Sequence, residues 1–342
     1  MQKIVAFWRD EYDWRAEEAR LNALGPQFQT DIDIDGLGTI NLHFLHAKSK
    51  QSNAIPLLFI HGWPGSFNEV SGVLPLFLEA GFDVVAPSLP GYGFSSYPDI
   101  AGFSFEHCAA VFSKLMGILG YESYVIQGGD WGSDVGRTMS LTYPKNIVAY
   151  HANTLPMSKP DFGGKEPAYS KFEQALLDRM TWFEESEWAY YSVQATKPRT
   201  FGYALHDSPV GMLAWMADKL FLWAEDYDWT YTEIITWTLL HYFPGPTTGM
   251  QWYADHPNFE MLDKDAWLRK TYLEVPTGFS AFPKEIGMGP RSWAETIFNV
   301  QFWREHPIGG HFAAYERPNE LGQDAIEFFQ SIWEKKASKL QR

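Results

Sequence analysis

Gly128-Gly129-Asp130-Trp131-Gly132 stands directly after an apolar run at residues 124–127. A buried strand that turns abruptly into a helix leaves one residue on a strained turn. Its neighbours must be small, because strand and helix crowd it. The pentapeptide has that form, a nucleophile elbow, whose familiar occupant is serine. Here the position is held by Asp130. The other reading is that Asp130 only caps the helix that starts at Trp131, a common job for aspartate.

Working outward, the same texture recurs. Residues 56–60 form an apolar run ending in His61-Gly62-Trp63-Pro64-Gly65-Ser66. Residues 83–86 form another, ending in Pro87-Ser88-Leu89-Pro90-Gly91-Tyr92-Gly93, and 147–153 a further one. Short apolar runs bounded by Gly and Pro, spaced by helix-length segments, read as buried parallel strands with crossovers. This predicts an α/β fold with a mostly parallel sheet covered by helices on both faces. Residues 156–255 lose the strand signal, are rich in Trp, Tyr, Phe and Met, and read as helices, notably at 171–188 and 210–223. Strand-like runs return at 273–282, interrupted by Pro276, and at 299–303. A closing helix follows from Pro318, with Leu321, Ala325, Phe328, Phe329, Ile332 and Trp333 on one face. The expected organisation is an α/β core at 51–155 and 256–342, interrupted by a helical cap at 156–255. Residues 1–50 are expected to pack on the core.

Composition narrows the class. The 342 residues carry 27 basic and 42 acidic side chains, a net charge of −15. That balance opposes nonspecific binding to nucleic acid or anionic membranes. The single cysteine, Cys108, forms no internal disulfide and no metal cluster. Charges arrive early in the N-terminal Met-Gln-Lys-Ile-Val-Ala-Phe-Trp-Arg-Asp, unlike a signal peptide. No uncharged apolar stretch of about 18 residues occurs. The expected address is cytoplasmic.

A carboxylate at the elbow predicts particular chemistry. Serine attacks an acyl carbon, whereas a carboxylate suits displacement of a leaving group from saturated carbon, giving an enzyme-bound ester that water hydrolyses. Epoxides and alkyl halides are such substrates. The base should lie on the loop after the last strand, in the α/β-hydrolase order of nucleophile, acid and base. Among the ten histidines, His311 in Gly309-Gly310-His311-Phe312 has that place, while His241, His256 and His306 read as structural or exposed. Glu285 fits the acid that orients the imidazole, ahead of Glu295. The backbone amides of Trp131 and Trp63 are the candidate oxyanion donors, with His61 holding the loop that carries Trp63. Opening an epoxide also calls for a tyrosine hydroxyl on the ring oxygen, and the residues alone do not select which.

Together these segments resemble the microsomal-type epoxide hydrolases of the α/β-hydrolase fold. The resemblance rests on His61-Gly62-Trp63-Pro64-Gly65-Ser66, the loop at 89–95, the Asp130 elbow, Val275-Pro276-Thr277-Gly278-Phe279-Ser280-Ala281-Phe282-Pro283 and Gly309-Gly310-His311-Phe312-Ala313-Ala314. It spans nearly the whole chain in order. It implies Asp130 as nucleophile, Glu285 as acid and His311 as base. It also implies Tyr190, beside Tyr191, and Tyr253, after Trp252, as donors to the epoxide oxygen. It implies no cofactor and no metal, with a small-molecule epoxide and water as partners and a homodimer left open. Family members usually carry a longer N-terminal segment, often with a membrane anchor; none is expected here. Three alternatives stay open. A dehalogenase shares the aspartate elbow, a cyclase would open the epoxide with the substrate's own hydroxyl, and a non-catalytic binding protein could share the fold. The aromatic-rich cap suits a bulky apolar substrate, or merely packs helices.

Overall fold

The computed structural model describes residues 1–99, 102–155, 157, 159–256 and 270–340. Strands β1 (Gln27–Ile34), β2 (Gly38–Ala47), β3 (Ile55–Ile60), β4 (Phe82–Pro87), β5 (Tyr124–Gly128), β6 (Ile147–Ala152), β7 (Leu273–Ala281) and β8 (Phe298–Glu305) form one sheet. Its order is β1-β2-β4-β3-β5-β6-β7-β8. The β1, β2 and β4 pairings are antiparallel, and every pairing from β4 to β8 is parallel. The apolar runs read from the sequence are therefore β3 to β8. Pro276 falls where the β7–β8 register shifts, as a residue without an N–H should.

The physical cause is plainest in β3, Ile-Pro-Leu-Leu-Phe-Ile, which is buried at all six positions. Alternate side chains serve opposite faces. Leu58 and Ile60 join the core cluster shared with α4 (Phe105–Ile118) and α5 (Trp131–Thr142). Leu57 and Phe59 join that of α3 (Leu74–Glu79) and α14 (Pro318–Leu340). Each such side chain contributes about 1.5–3 kcal/mol by leaving water.

The antiparallel hairpin β1–β2 was not read from the sequence. Its first strand is mixed in polarity and largely solvent-facing. The available signal was Asp35-Gly36 between the strands, where Gly36 adopts φ +78°. Ahead of it, α1 (Gln2–Asp10) and α2 (Trp14–Ala23) lean on the helical segment. The Tyr12 hydroxyl lies 3.0 Å from Thr236 Oγ1, and the Trp14 and Phe243 rings meet edge-on at 4.9 Å.

Between β6 and β7 come α6 (Lys171–Trp182), α7 (Ala189–Thr196), α8 (Pro198–Asp207), α9 (Pro209–Trp223), α10 (Tyr231–Tyr242) and α11 (Pro246–Asp255). Local sequence sets their starts. Ser170 with Glu173, and Thr230 with Glu233, form reciprocal capping boxes on α6 and α10. The helix read at 171–188 is α6 followed by a π-helical turn, Phe183–Glu187. Helices α12 (Arg291–Ile297) and α13 (Ala313–Glu316) flank β8. Of the segment boundaries, residue 156 and the stretch 257–269 lie outside the described residues.

Candidate active site

Asp130 sits between β5 and α5 at φ +50° and ψ −130°, a conformation that costs a non-glycine residue energy. The elbow is as tight as the sequence implied. A Cβ on Gly132 would lie 2.1 Å from the Ile60 carbonyl oxygen, and one on Gly128 would lie 2.3 Å from that of Gly132. Although Asp130 occupies the N-cap position of α5, its side chain makes no capping bond. The simple capping reading therefore fails. Instead the Trp63 amide donates to Asp130 Oδ1 at 2.8 Å, and the Trp131 amide adds its pull on the carboxylate's charge. The loop after β3 presses on the carboxylate so closely that a Cβ on Gly62 would lie 2.3 Å from Asp130 Oδ1. His61 secures that loop, accepting from the Leu89 amide at 3.0 Å.

His311 follows β8 and turns Nε2 toward Asp130 Oδ2 at 3.6 Å. That separation exceeds a hydrogen bond, so Nε2 remains available to a third group. On its other side, Nδ1 lies 2.9 and 3.1 Å from the Glu285 oxygens. Glu285, fully buried, also accepts from Thr154 Oγ1 at 3.1 Å and from the Gly287 amide at 3.0 Å. These bonds fix which oxygen faces which donor, and hence the imidazole's orientation. Burial alone would lower the His311 pKa; the Glu285 charge and hydrogen bond, with Asp130 and Glu69, raise it to about 9. Burial pushes Asp130 above the usual carboxylate range, against the pull of His311 and the two amides. Asp130's side chain is 20% exposed and His311's 3%. The nucleophile candidate is thus the member that solvent reaches.

Glu69, in the 3-10 turn Phe67–Ser71, was not singled out from the sequence. Its carboxyl folds over Gly65, where a Cβ would meet Glu69 Oε1 at 1.5 Å. Burial pushes it up to about 8, against the pull of His311.

Tyr190 on α7 stacks on Trp63, with centroids 5.0 Å apart. Tyr253 on α11 meets Trp131 edge-on at 4.9 Å and Tyr190 at 5.8 Å. The two phenols therefore flank the tryptophans whose amides hold the carboxylate. Burial, with the Asp130 charge adding, raises both well above the ordinary phenol pKa, so both stay protonated donors. The Tyr253 hydroxyl is buried without a hydrogen-bond partner among the described residues. Tyr191 differs: its hydroxyl donates to the His256 carbonyl. The adjacent tyrosines therefore have different surroundings.

The N-terminal residues 1–70 match the family model for the epoxide hydrolase N terminus, and residues 55–181 match that of the alpha/beta hydrolase fold. The chain is 35% identical to a putative epoxide hydrolase of Stigmatella aurantiaca, over 97% of this chain and 76% of that one. It is 32% identical to epoxide hydrolase 1 of Oryctolagus cuniculus, over 96% and 79%. This chain belongs to the epoxide hydrolase family. The solved Aspergillus niger epoxide hydrolase superposes with a TM-score of 0.86 at 37% identity, covering 97% of this chain and 85% of that one. The juvenile hormone epoxide hydrolase of Bombyx mori gives 0.87 at 29% identity, covering 98% and 85%.

The remaining histidines of this epoxide hydrolase have structural partners. His241 Nε2 reaches the Pro64 and Gly65 carbonyls, His256 Nδ1 the Trp252 carbonyl, and His306 Nε2 lies 2.7 Å from Asp324. Glu295 is half-exposed and pairs with Arg291. Among the described residues, no helix is long and apolar enough to cross a membrane, and no group of three or more His, Cys, Asp or Glu could hold a metal ion.

Proposed function

We propose that this epoxide hydrolase works through an ester on Asp130, on epoxides bearing a bulky apolar substituent. The observation that carries the reading is the division of the Asp130 carboxylate. Oδ1 is held by the Trp63 amide, while Oδ2 faces His311. Oδ2 attacks an epoxide carbon, the carbon–oxygen ring bond breaks, and the ring oxygen takes a proton from Tyr190 or Tyr253. His311 Nε2 then takes a proton from water, and the hydroxide adds to the ester carbonyl. Negative charge gathers on Oδ1, where the Trp63 and Trp131 amides oppose it. On collapse the carboxylic proton passes to the departing alkoxide, giving the diol, and the proton on His311 returns to the phenolate. Residues 156–255 act as the cap that carries both phenols, on a core of 51–155 and 256–342. The rings of Trp63, Tyr190, Trp223 and Tyr253 supply an apolar wall for the substituent.

The test is a single turnover of excess enzyme in ¹⁸O-labelled water with an aryl or terpenoid epoxide, read by mass spectrometry. Label in the Asp130 peptide with unlabelled diol supports the ester. Labelled diol with unlabelled Asp130 means direct attack by water and overturns it. A cyclic ether in place of the diol would mark the substrate's own hydroxyl as nucleophile.

Tyr190→Phe is expected to slow ester formation on the order of 10²-fold, the usual cost of losing one donor to developing charge. Tyr191→Phe should change it only a few-fold, because its hydroxyl already serves His256. Stopped-flow rates of ester formation compare the two. Equal losses would reject Tyr190 as the donor. Halide release indifferent to Tyr190→Phe would instead indicate a dehalogenase.

The ester also changes the electrostatics of the base. His311 sits at about 9 partly because Asp130 is charged. Once Asp130 is an ester, that contribution vanishes, and His311 titrates lower while Glu285 still raises it. Ester decay should therefore rise with pH along a limb centred below about 9 and then level off. Decay rates measured from about pH 5 to about pH 10 check this; a limb centred above 9 would contradict it.

A further inference from the structure

Glu316 is 4% exposed, stands five residues after His311 at the end of α13, and has no place in the chemistry above. Its carboxyl is nevertheless fully engaged. The Phe312 amide donates to Glu316 Oε1 at 2.8 Å. The Gly310 amide donates to Oε2 at 3.0 Å, and the Glu225 amide to the same oxygen at 2.8 Å. The amides of the two residues that flank His311 thus end on one carboxylate, together with one from the turn after α9.

That turn is bound to the histidine loop in other ways. The His311 amide donates to the Trp223 carbonyl at 2.9 Å. The Gly309 amide donates to Glu225 Oε2 at 2.9 Å, and Arg317 Nη2 to the Glu225 carbonyl at 3.1 Å. The approach leaves no room for a side chain, since a Cβ on Gly310 would lie 2.3 Å from the Trp223 carbonyl oxygen. The Trp223 ring then meets His311 edge-on at 5.3 Å and Tyr190 at 5.0 Å.

We infer that Glu316 is a positioning residue for ester hydrolysis: its carboxylate clamps the backbone around His311 to the Trp223–Glu225 turn and so aims Nε2 at the ester. The inference rests on the ester mechanism proposed above. Its logic is geometric. Glu285 fixes the ring's rotation through Nδ1, but it cannot fix the backbone from which the ring hangs. Three amide donors converging on one anion do so with little freedom left. Glutamine in this place keeps the shape but offers one acceptor oxygen and one NH2. If the oxygen serves Gly310 and Glu225, the NH2 meets the Phe312 N–H, donor against donor. The loop must then shift, and a displacement of about 1 Å at a reacting group can cost on the order of 10²-fold in rate.

The two half-reactions separate this role from a general structural one. Attack by Asp130 needs the elbow, the amides and the phenols, none of which hangs from the histidine loop. Hydrolysis needs His311. Rapid-mixing single turnovers of wild type, Glu316→Gln and the control His311→Gln should therefore be compared with quenched-flow detection of the covalent ester. The expected result is ester formation at the wild-type rate with decay slowed ~10- to 100-fold in Glu316→Gln. Glu316→Asp keeps the charge but is too short to reach all three amides, and it should show the same split. Decay at the wild-type rate in both variants overturns the inference, as does equal slowing of both half-reactions, which marks a structural role alone. If His311→Gln accumulates no ester, the ester mechanism itself fails and the inference falls with it. Ester trapped in His311→Gln beside unslowed decay in the Glu316 variants leaves the mechanism standing and rejects only the clamp.

Discussion

Replacing Asp130 with alanine is expected to abolish diol formation, by about 10⁴-fold or more, the scale seen when a covalent nucleophile is removed. The size of the loss follows from what remains. His311 keeps its partner Glu285, and the two phenols keep their places, yet no atom is left to attack carbon. The amides of Trp63 and Trp131 then face empty space instead of an oxygen. The fold should not suffer: the deletion removes a desolvated charge, so the melting temperature should equal or exceed that of wild type. Steady-state diol formation beside a thermal melt tests both halves. Turnover within tenfold of wild type would remove Asp130 from the chemistry. Asparagine is the weaker substitution, because its amide can hydrolyse back to aspartate in the same site.

The second large effect is a separation of the half-reactions. In His311→Gln, Asp130 should still open the epoxide, while ester hydrolysis slows on the order of 10³-fold, the usual weight of a general base. One equivalent of substrate should be consumed in a burst, after which the protein carries the substrate's mass on the peptide containing Asp130. Loss of the histidine also removes the cation that draws down the Asp130 pKa. The burst should therefore fade at a higher pH than in wild type as conditions turn acidic. Intact-protein mass spectrometry at increasing times reads the adduct directly. Full turnover without an adduct would count against an Asp130 ester that waits on His311.

The parts of this site that could be read from the sequence are those tied to local backbone form. Asp130 was visible because an elbow demands small neighbours at fixed positions. His311 was visible because the last strand and the closing helix bracket its loop. Glu285 followed from the order of the chain. The hairpin β1–β2 was missed because an edge strand facing solvent needs no continuous apolar run. Glu69 and Glu316 were missed for another reason. Their partners are backbone amides in irregular loops and charges from distant segments, and no periodic pattern encodes those. The difference in surroundings between Tyr190 and Tyr191 is similar, since it includes one carbonyl, that of His256, sixty-five residues away.

The crowding around the elbow bears on how this enzyme could be altered. Gly62, Gly128 and Gly132 carry no side chain to offer a substrate, but a single added carbon at any of them strikes the carboxylate or the backbone within 2.3 Å. A saturation library scored for survival of activity would mark these three as intolerant as Asp130 itself. Intolerance there would report steric exclusion, whereas at Asp130, under the proposed ester mechanism, it would report a missing reagent. Libraries meant to reshape selectivity gain nothing by sampling the glycines; their useful diversity lies in the aromatic wall, where a ring can be exchanged for a smaller group without moving the nucleophile.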